Sequence, residues 1–66
     1  MIIWQERVIA EKHELDNRIS KLKHFNDSSQ FDEIPPGEMI RLRSQLVIMT
    51  EYSDILQNRI NNFRED

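Results

Sequence analysis

The clearest pattern of apolar positions lies in the second half of the chain. Its members are separated alternately by four and three residues: Leu42, Leu46, Met49, Ser53, Leu56, Ile60 and Phe63. This heptad spacing places all of them on one side of an α-helix, with Ser53 as the one polar member. Pro36 suits the start of such a helix, because the N–H that proline lacks is not needed in the first turn. The pattern predicts a helix over about residues 36–63.

A second amphipathic segment occupies the first half of the chain. Between residues 3 and 25 there is no glycine or proline, and apolar side chains recur at helical spacing: Val8, Leu15, Ile19, Leu22 and Phe25. Oppositely charged side chains also follow one another at intervals of four residues, as on the solvated outer side of a helix: Lys12 with Asp16, and Glu14 with Arg18. The pattern predicts a helix over about residues 3–25.

Residues 26–35 connect the two predicted helices. The run Asn26-Asp27-Ser28-Ser29 consists of short polar side chains, which compete for backbone hydrogen bonds and so end a helix. Phe31 and Ile34, three residues apart, predict one helical turn at the tip. Because the connection is short, the helices must run antiparallel. We therefore expect an all-α protein, a single two-helix hairpin domain over residues 1–66.

A second stripe on the later helix predicts self-association. Beside the heptad positions runs a row that is also spaced by three or four residues: Gln45, Ile48, Tyr52, Ile55 and Arg59. One partner helix covers one stripe, so two adjacent stripes require two neighbours. A chain of 66 residues without cysteine also has no disulfides or thiolate metal sites to stabilise a small core. We expect a homo-oligomer, a dimer or a tetramer, assembled as a helical bundle.

Charge and the lack of a long apolar run narrow the class of protein. The net charge at pH 7 is −3, which argues against a protein held to DNA or RNA by general electrostatics. The excess of negative charge lies in the connection, because residues 26–38 carry four acidic and no basic side chains. The apolar start, Met1 to Trp4, is too short for a signal peptide or a membrane span. We expect a cytoplasmic protein that binds neither DNA nor membranes.

The sequence contains no convincing catalytic or metal-binding motif. His13-Glu14 begins like a zinc-protease motif, but Asn17 stands where the second histidine is required. Gly37 is the only glycine, so the chain has no glycine-rich phosphate loop. We expect no enzyme activity, no metal and no cofactor.

The open end of the hairpin gathers aromatic rings and arginines. An antiparallel pairing brings the following side chains close together: Trp4, Arg7, Arg59, Phe63 and Arg64. Such a group can stack a base and clamp a phosphate. The same side chains can instead close the core, with the arginine stems covering the rings. A second basic group lies near the tip, beside enough acidic residues to be neutralised: Lys21, Lys23, Arg41 and Arg43.

The polar members of the second stripe leave two interpretations open. Gln45, Tyr52 and Arg59 share a side of the helix that is partly buried if the protein self-associates. Burying such groups costs on the order of several kcal/mol unless each finds a partner. They either pair with acids such as Glu11 across an interface between chains, or they line a wet pocket that receives a ligand.

The pattern as a whole resembles a known family. The resemblance begins with Arg7-Val8 and Glu11 and continues through the first helix. It is most distinctive in the run Gln45-Leu46-x2-Met49-x2-Tyr52, followed seven residues later by Arg59-Ile60. Over roughly residues 6–63 the chain resembles small phage-encoded proteins, the relatives of a crAss-like phage hairpin protein.

That family is similar in size and shape to phage sponges directed against CBASS immunity, which are oligomeric helical proteins that sequester cyclic-nucleotide signals. The resemblance implies a non-enzymatic oligomer with pockets between protomers for a cyclic dinucleotide or trinucleotide. By the same resemblance, the residues that face the pocket are Gln45, Tyr52 and Arg59, with Arg7, Glu11 and Lys21 from the first helix. Trp4 and Pro35-Pro36-Gly37 do not match the family pattern, so a stacking role for Trp4 rests on its chemistry alone.

Two other functions compete with that of a sponge. A helical hairpin with an exposed apolar stripe can instead bind a host or phage protein and take no small ligand. The negative net charge and the lack of a tight helix-turn-helix argue against the other competing function, that of a small DNA-binding regulator. We therefore expect a phage anti-defence protein that sequesters cyclic-nucleotide immune signals without turnover. The alternative is a helical protein–protein interaction module.

Overall fold

The computed structural model describes residues 3–63, which form two long α-helices joined by a short 3-10 helix. The first helix, α1, spans Ile3–Asn26, and the second, α2, spans Pro36–Asn61. The 3-10 helix spans Ser29–Glu33 at the tip. No β-strand occurs among the described residues, and α1 packs along α2. The predicted all-α two-helix hairpin is confirmed.

The ends of the helices follow from local hydrogen bonds. After α1, the Phe25 carbonyl oxygen accepts from the Ser28 N–H over 3.0 Å and from the Ser28 hydroxyl over 2.7 Å, so a carbonyl at the helix end keeps its partners. α2 begins at Pro36, where proline needs no N–H partner. It ends two residues before the position that the heptad pattern predicted. There the Asn62 side-chain amide donates to the Asn58 carbonyl oxygen over 2.7 Å and replaces the next turn of the helix.

The tip is closed by a small aromatic cluster. Phe31, in the 3-10 helix, is buried, and its ring meets the ring of Phe25 edge to face with the centroids 6.3 Å apart. The Arg43 guanidinium lies over the same Phe31 ring, 5.1 Å from its centroid. The helical turn predicted in the connection is therefore present, and it covers the end of the helix pair.

The interface between α1 and α2 is a single seam. On α2 it consists of the predicted heptad positions, of which Leu56 is completely buried. On α1 it follows the same alternating spacing and includes several polar side chains: Gln5, Val8, Lys12, Leu15, Ile19, Leu22 and Asn26. Contacts between Trp4 and Phe63 and between Lys12 and Ser53 show that the helices are antiparallel and set their register.

A polar network crosses the middle of this seam. Lys12 Nζ donates to Asp16 over 2.9 Å and to Ser53 Oγ over 2.8 Å, and the Ser53 hydroxyl donates to the other Asp16 oxygen. The Lys12 side chain is only 17% exposed. The prediction that Lys12 belongs to the solvated outer side of α1 is therefore wrong. Its ion pair with Asp16 does form, but over the seam, because the small Ser53 leaves room for the lysine.

The hairpin is long and thin, with extents of 51 × 14 × 13 Å. Its accessible surface is 5286 Å². A compact protein of the same mass exposes about 4,450 Å². Several large apolar side chains of α2 contribute to the excess: Ile40, Val47, Ile48 and Ile55. Neither α1 nor α2 is long and apolar enough to cross a membrane.

Leu56 gives the first testable prediction. It is fully buried in the seam, so we expect Leu56→Ala to lower the free energy of unfolding by about 2–5 kcal/mol. Ile40→Ala is the matched control, since Ile40 is 65% exposed and its trimming costs less than about 0.5 kcal/mol. Urea unfolding followed by circular dichroism measures both changes. Equal losses in the two variants would contradict the packing of the seam.

The polar network gives a second prediction, on acid sensitivity. The hydrogen bonds from Ser53 and then from Lys12 hold the pKa of Asp16 below its ordinary value of 3.8. Since the folded state favours the ionised carboxylate, this contribution is complete above the ordinary pKa and is lost as the pH falls through the folded-state pKa. We expect the free energy of unfolding to fall below about pH 4, and to fall less steeply in Asp16→Asn.

Urea unfolding at a series of pH values measures this dependence. Asp27→Asn is the control, because Asp27 lies in the exposed connection and keeps the seam network intact. The same acid dependence in wild type and Asp16→Asn would show that the network does not stabilise the folded state.

Candidate ligand-binding face

Two rows of side chains, one beside each half of the seam, form one long side of the hairpin, here called the Tyr52 face. The row on α1 consists of Arg7, Glu11, Glu14, Arg18 and Lys21. The row on α2 consists of Gln45, Ile48, Tyr52, Ile55 and Arg59. Within each row the members are three or four residues apart and so share one side of their helix. A shallow groove of about 90 Å³ joins the rows at the centre and is lined by Glu11, Glu14, Leu15, Arg18 and Tyr52. All six ligand-binding residues expected from the family resemblance lie on this face.

Tyr52 and Glu11 connect the two rows directly. The Tyr52 hydroxyl donates a hydrogen bond to the Glu11 carboxylate within the same hairpin. The bond to Glu11 raises the pKa of Tyr52 above its ordinary value, and the positive charge of Arg59 opposes this effect. The sequence left open whether such a pair forms across an interface between chains. The structure places it inside one chain, with Tyr52 still 40% exposed.

The Tyr52 face is positively charged although the chain as a whole is not. Its two rows carry four basic and two acidic side chains, a net charge of +2, against −3 for the whole chain. Arg18 donates to Glu14 over 2.7 Å. The three other cations, Arg7, Lys21 and Arg59, are exposed and form no ion pair with another residue in the range 3–63. The face therefore offers three positive charges to an anionic partner.

One end of the face carries an aromatic pair, as the sequence predicted. Trp4 and Phe63 meet edge to face with ring centroids 5.2 Å apart, and Trp4 remains 49% exposed. In the register of the seam, Arg7 is level with Arg59 just inside this pair. We call these four residues the open-end cluster. Arg64, the fifth member expected from the sequence, lies outside the described residues. Trp4 thus covers the end of the core and also keeps an exposed ring surface.

Lys21 and Gln45 lie at the other end of the face, level with each other, and we call them the tip-side pair. Both are exposed, and the Gln45 amide approaches the Met49 sulfur at 3.7 Å. Lys21 follows Arg7 by 14 residues in the same helix, a separation of about 21 Å at the helical rise. Within one chain, the expected ligand-binding residues therefore form two groups that a single small ligand does not span.

The second basic group expected near the tip is divided by the fold. Arg41 donates to Glu38 over 3.1 Å, and Arg43 lies over Phe31. Lys21 belongs to the Tyr52 face, whereas Lys23 lies on the other side of the seam. The expected neutralisation by nearby acids is observed for Arg41, and the four side chains do not form one site.

Two members of the Tyr52 face were missed as site residues. Glu14 and Arg18 line its central groove, but their spacing in the sequence was interpreted only as an exposed ion pair. The signal that locates them is their interval of three residues from Glu11 and Lys21, respectively. A row that runs directly beside the seam positions belongs to the rim of the interface between the helices.

The fold and this face define a class: small all-α hairpins that carry exposed rings, unpaired cations and a carboxylate acceptor on one long side. A family model described as Sequestin matches residues 3–62. The chain belongs to the Sequestin family.

A curated relative from Enterobacteria phage T4 is similar along the whole chain. This "uncharacterized 7.5 kDa protein in denB-rIIB intergenic region" is 33% identical over 64 residues, which cover 97% of this chain and 100% of the relative. No solved structure shows significant similarity to the chain. The predicted relationship to small phage-encoded proteins is confirmed, and the name Sequestin agrees with the coarse function expected, that of a sequestering phage protein.

Tyr52 gives a prediction that tests the geometry of the face. It is the only tyrosine in the chain, so its ionisation can be followed by ultraviolet absorbance without overlap from another phenol. We expect a pKa above the ordinary value of 10.0, because the Glu11 carboxylate accepts a hydrogen bond from the protonated phenol and disfavours the phenolate. Glu11→Gln is expected to bring the pKa back towards that of a free tyrosine.

Glu14→Gln is the matched control for this titration. It removes a carboxylate from the same groove that pairs with Arg18 instead of Tyr52, so the pKa of Tyr52 is expected to stay close to the wild-type value. Equal shifts in the two variants would contradict the specific bond between Tyr52 and Glu11.

Proposed function

We propose that this protein sequesters cyclic di- or trinucleotide immune signals in pockets between protomers and does not turn them over. The observation that carries the proposal is the composition of the Tyr52 face, which combines unpaired cations, an exposed phenol and a carboxylate on one side of the hairpin. The family name supports sequestration, and the chemistry of the face supports a nucleotide as the molecule sequestered.

Phosphate groups suit the cations of this face. Arg7 and Arg59, level with each other at the open end, present planar guanidiniums that can bind phosphate oxygens through paired N–H donors. Lys21 adds a compact positive charge near the tip. The net charge of +2 on the face balances the two phosphodiester charges of a cyclic dinucleotide.

The bases of a nucleotide suit the remaining groups. Trp4 and Tyr52 are both about half exposed, and their rings offer surfaces on which a base can stack. Glu11 and Gln45 provide acceptor and donor groups for the edge of a base. Stacking and edge recognition distinguish nucleotides from inorganic phosphate, which meets only the cations.

Self-association through the Tyr52 face brings the two groups of ligand-binding residues together. Ile48 and Ile55 are 65% and 57% exposed and supply apolar contact area. A two-fold axis at the centre of the face pairs two hairpins with opposite directions. The open-end cluster of one chain then lies over the tip-side pair of the other. Each dimer contains two such composite pockets, and the 21 Å separation within one chain no longer divides the site.

Binding without turnover is supported by the partners of the titratable groups. On the Tyr52 face, Glu11 accepts a hydrogen bond from the Tyr52 hydroxyl and Glu14 pairs with Arg18. His13 and His24 lie on other rows of α1. Both carboxylates of the described face are thus engaged by neighbours rather than held free as general bases. We place this activity in the host cytoplasm, with no role for DNA or membranes.

Calorimetric titration with a panel of cyclic di- and trinucleotides tests the proposal. We expect at least one ligand to bind stoichiometrically and to be recovered unchanged. Arg59→Ala removes a charged hydrogen-bond partner worth about 1.5–3 kcal/mol, so affinity is expected to fall about 10- to 100-fold. Arg41→Ala is the matched control, because Arg41 pairs with Glu38 near the tip and is expected to leave binding unchanged.

The exposed residues Ile48 and Ile55 also favour the alternative function, a helical module that binds another protein. The two functions give different results in the same experiment. Failure of every cyclic nucleotide to bind, with intact helicity and assembly, would rule out the sponge and leave the protein-binding module. Equal loss of affinity in Arg59→Ala and Arg41→Ala would show that the binding site does not lie on the Tyr52 face.

A further inference from the structure

The side of the hairpin away from the Tyr52 face carries a larger, open groove. Its volume is about 460 Å³, and we call it the Val47 groove after its central residue. It is lined by Ile19, Lys23, Leu46, Val47, Thr50 and Glu51. None of these residues belongs to the Tyr52 face, so the proposed nucleotide site leaves the groove unused.

The floor of the Val47 groove is apolar. Ile19 and Leu46 come from the seam and are half-buried, and Val47 is 57% exposed. The Thr50 hydroxyl donates to the Leu46 carbonyl oxygen over 2.8 Å, so its hydrogen-bonding capacity is directed into α2. An uncovered apolar strip of this kind favours association with another apolar surface.

The charges of the groove are arranged symmetrically about its centre. In the register of the seam, Ile19 is level with Val47. Lys23 lies four residues from Ile19 towards the tip, and Glu51 lies four residues from Val47 towards the open end. Each is therefore about 6 Å along the helix from the centre. Neither forms an ion pair with another residue in the described part of the chain.

We propose that the Val47 groove is a second self-association surface, occupied by the same groove of another copy of this chain. A two-fold axis at the level of Ile19 and Val47 exchanges the two ends of the groove. Lys23 of one copy then meets Glu51 of the other, and the reciprocal pair forms at the same time. The surface is thus complementary to itself in both charge and apolar character. Such self-complementarity favours a second copy of the chain over an unrelated protein.

The size of this side suits such an interface. The extents of 51 Å and 14 Å give a long side of about 700 Å² in projection, so an interface along its full length is of the order of the roughly 800 Å² that each partner buries in a standard interface. Interfaces through the Tyr52 face and through the Val47 groove lie on different sides of the hairpin. One chain can therefore use both interfaces, and the Val47 groove then joins the dimers that hold the nucleotide pockets into larger assemblies.

A charge-exchange experiment tests the proposal. Lys23→Glu places glutamates at both ends of the groove, and Glu51→Lys places lysines there, so each variant alone is expected to raise the dissociation constant of this interface at least tenfold. An equal mixture of the two variants restores both ion pairs between unlike chains. Native mass spectrometry is expected to show smaller species for each variant alone and larger, mixed assemblies for the mixture.

The mixture separates pairing between chains from pairing within one chain. If the mixture fails to recover the mass of the wild type while circular dichroism shows intact helices, the proposal is overturned. Val47→Asp provides a second readout, since a charge at the centre of the groove is expected to leave only dimers formed through the Tyr52 face. An assembly larger than a dimer that survives Val47→Asp also overturns the proposal and leaves the groove to a different partner.

The nucleotide site is tested separately. Val47→Asp lies outside the Tyr52 face, so the remaining dimer is expected to bind the same cyclic nucleotide with wild-type affinity. Loss of the larger assembly with binding retained supports the second interface. Absence of binding in wild type contradicts the proposed function without bearing on how the Val47 groove assembles.

Discussion

The whole molecule depends on one seam between two antiparallel helices. This interface determines which residues lie level with each other and therefore which side chains form each side of the hairpin. Its register is set at the centre by Ser53, whose hydrogen bonds with Lys12 and Asp16 form only when the two helices meet at this level. A displacement by one turn takes Ser53 away from both side chains and leaves the Lys12 ammonium in the seam with only Asp16 of its own helix, at a cost larger than that of a misplaced methyl group. The network thus contributes specificity as well as stability.

Much of the fold is predictable because its signals are local. The heptad of α2, the polar run after α1 and Pro36 depend only on neighbouring residues, and they gave both helices to within two residues at each end. Lys12 was misplaced because an ion pair four residues apart looks the same over a seam as in solvent. The sequence also did not predict that Tyr52 and Glu11 pair within one chain, because this bond depends on the register of the two helices. Long-range pairings carry no signature in the spacing of a single helix.

The candidate site was predictable in composition but not in arrangement. Spacing by three and four residues identified Tyr52 and Arg59 as members of one row, and the structure adds the row of α1 that completes the face. It also shows that Arg7 and Lys21 are too far apart to hold one small ligand within a chain. A hairpin with a single seam has no interior in which to enclose a ligand. Its sides are the surfaces available for recognition, and they differ in charge and polarity.

The arrangement in rows has a consequence for how this protein tolerates change in its sequence. Glu11 belongs to the Tyr52 face, while the next residue, Lys12, belongs to the seam. Substitutions in the outer rows can alter what the hairpin recognises while the packing between the helices is preserved. Insertion or deletion of one residue rotates everything beyond it by about 100° and moves face residues into the core. Divergence within such a family is therefore expected to proceed by replacement inside the helices, with changes in length confined to the connection and the ends.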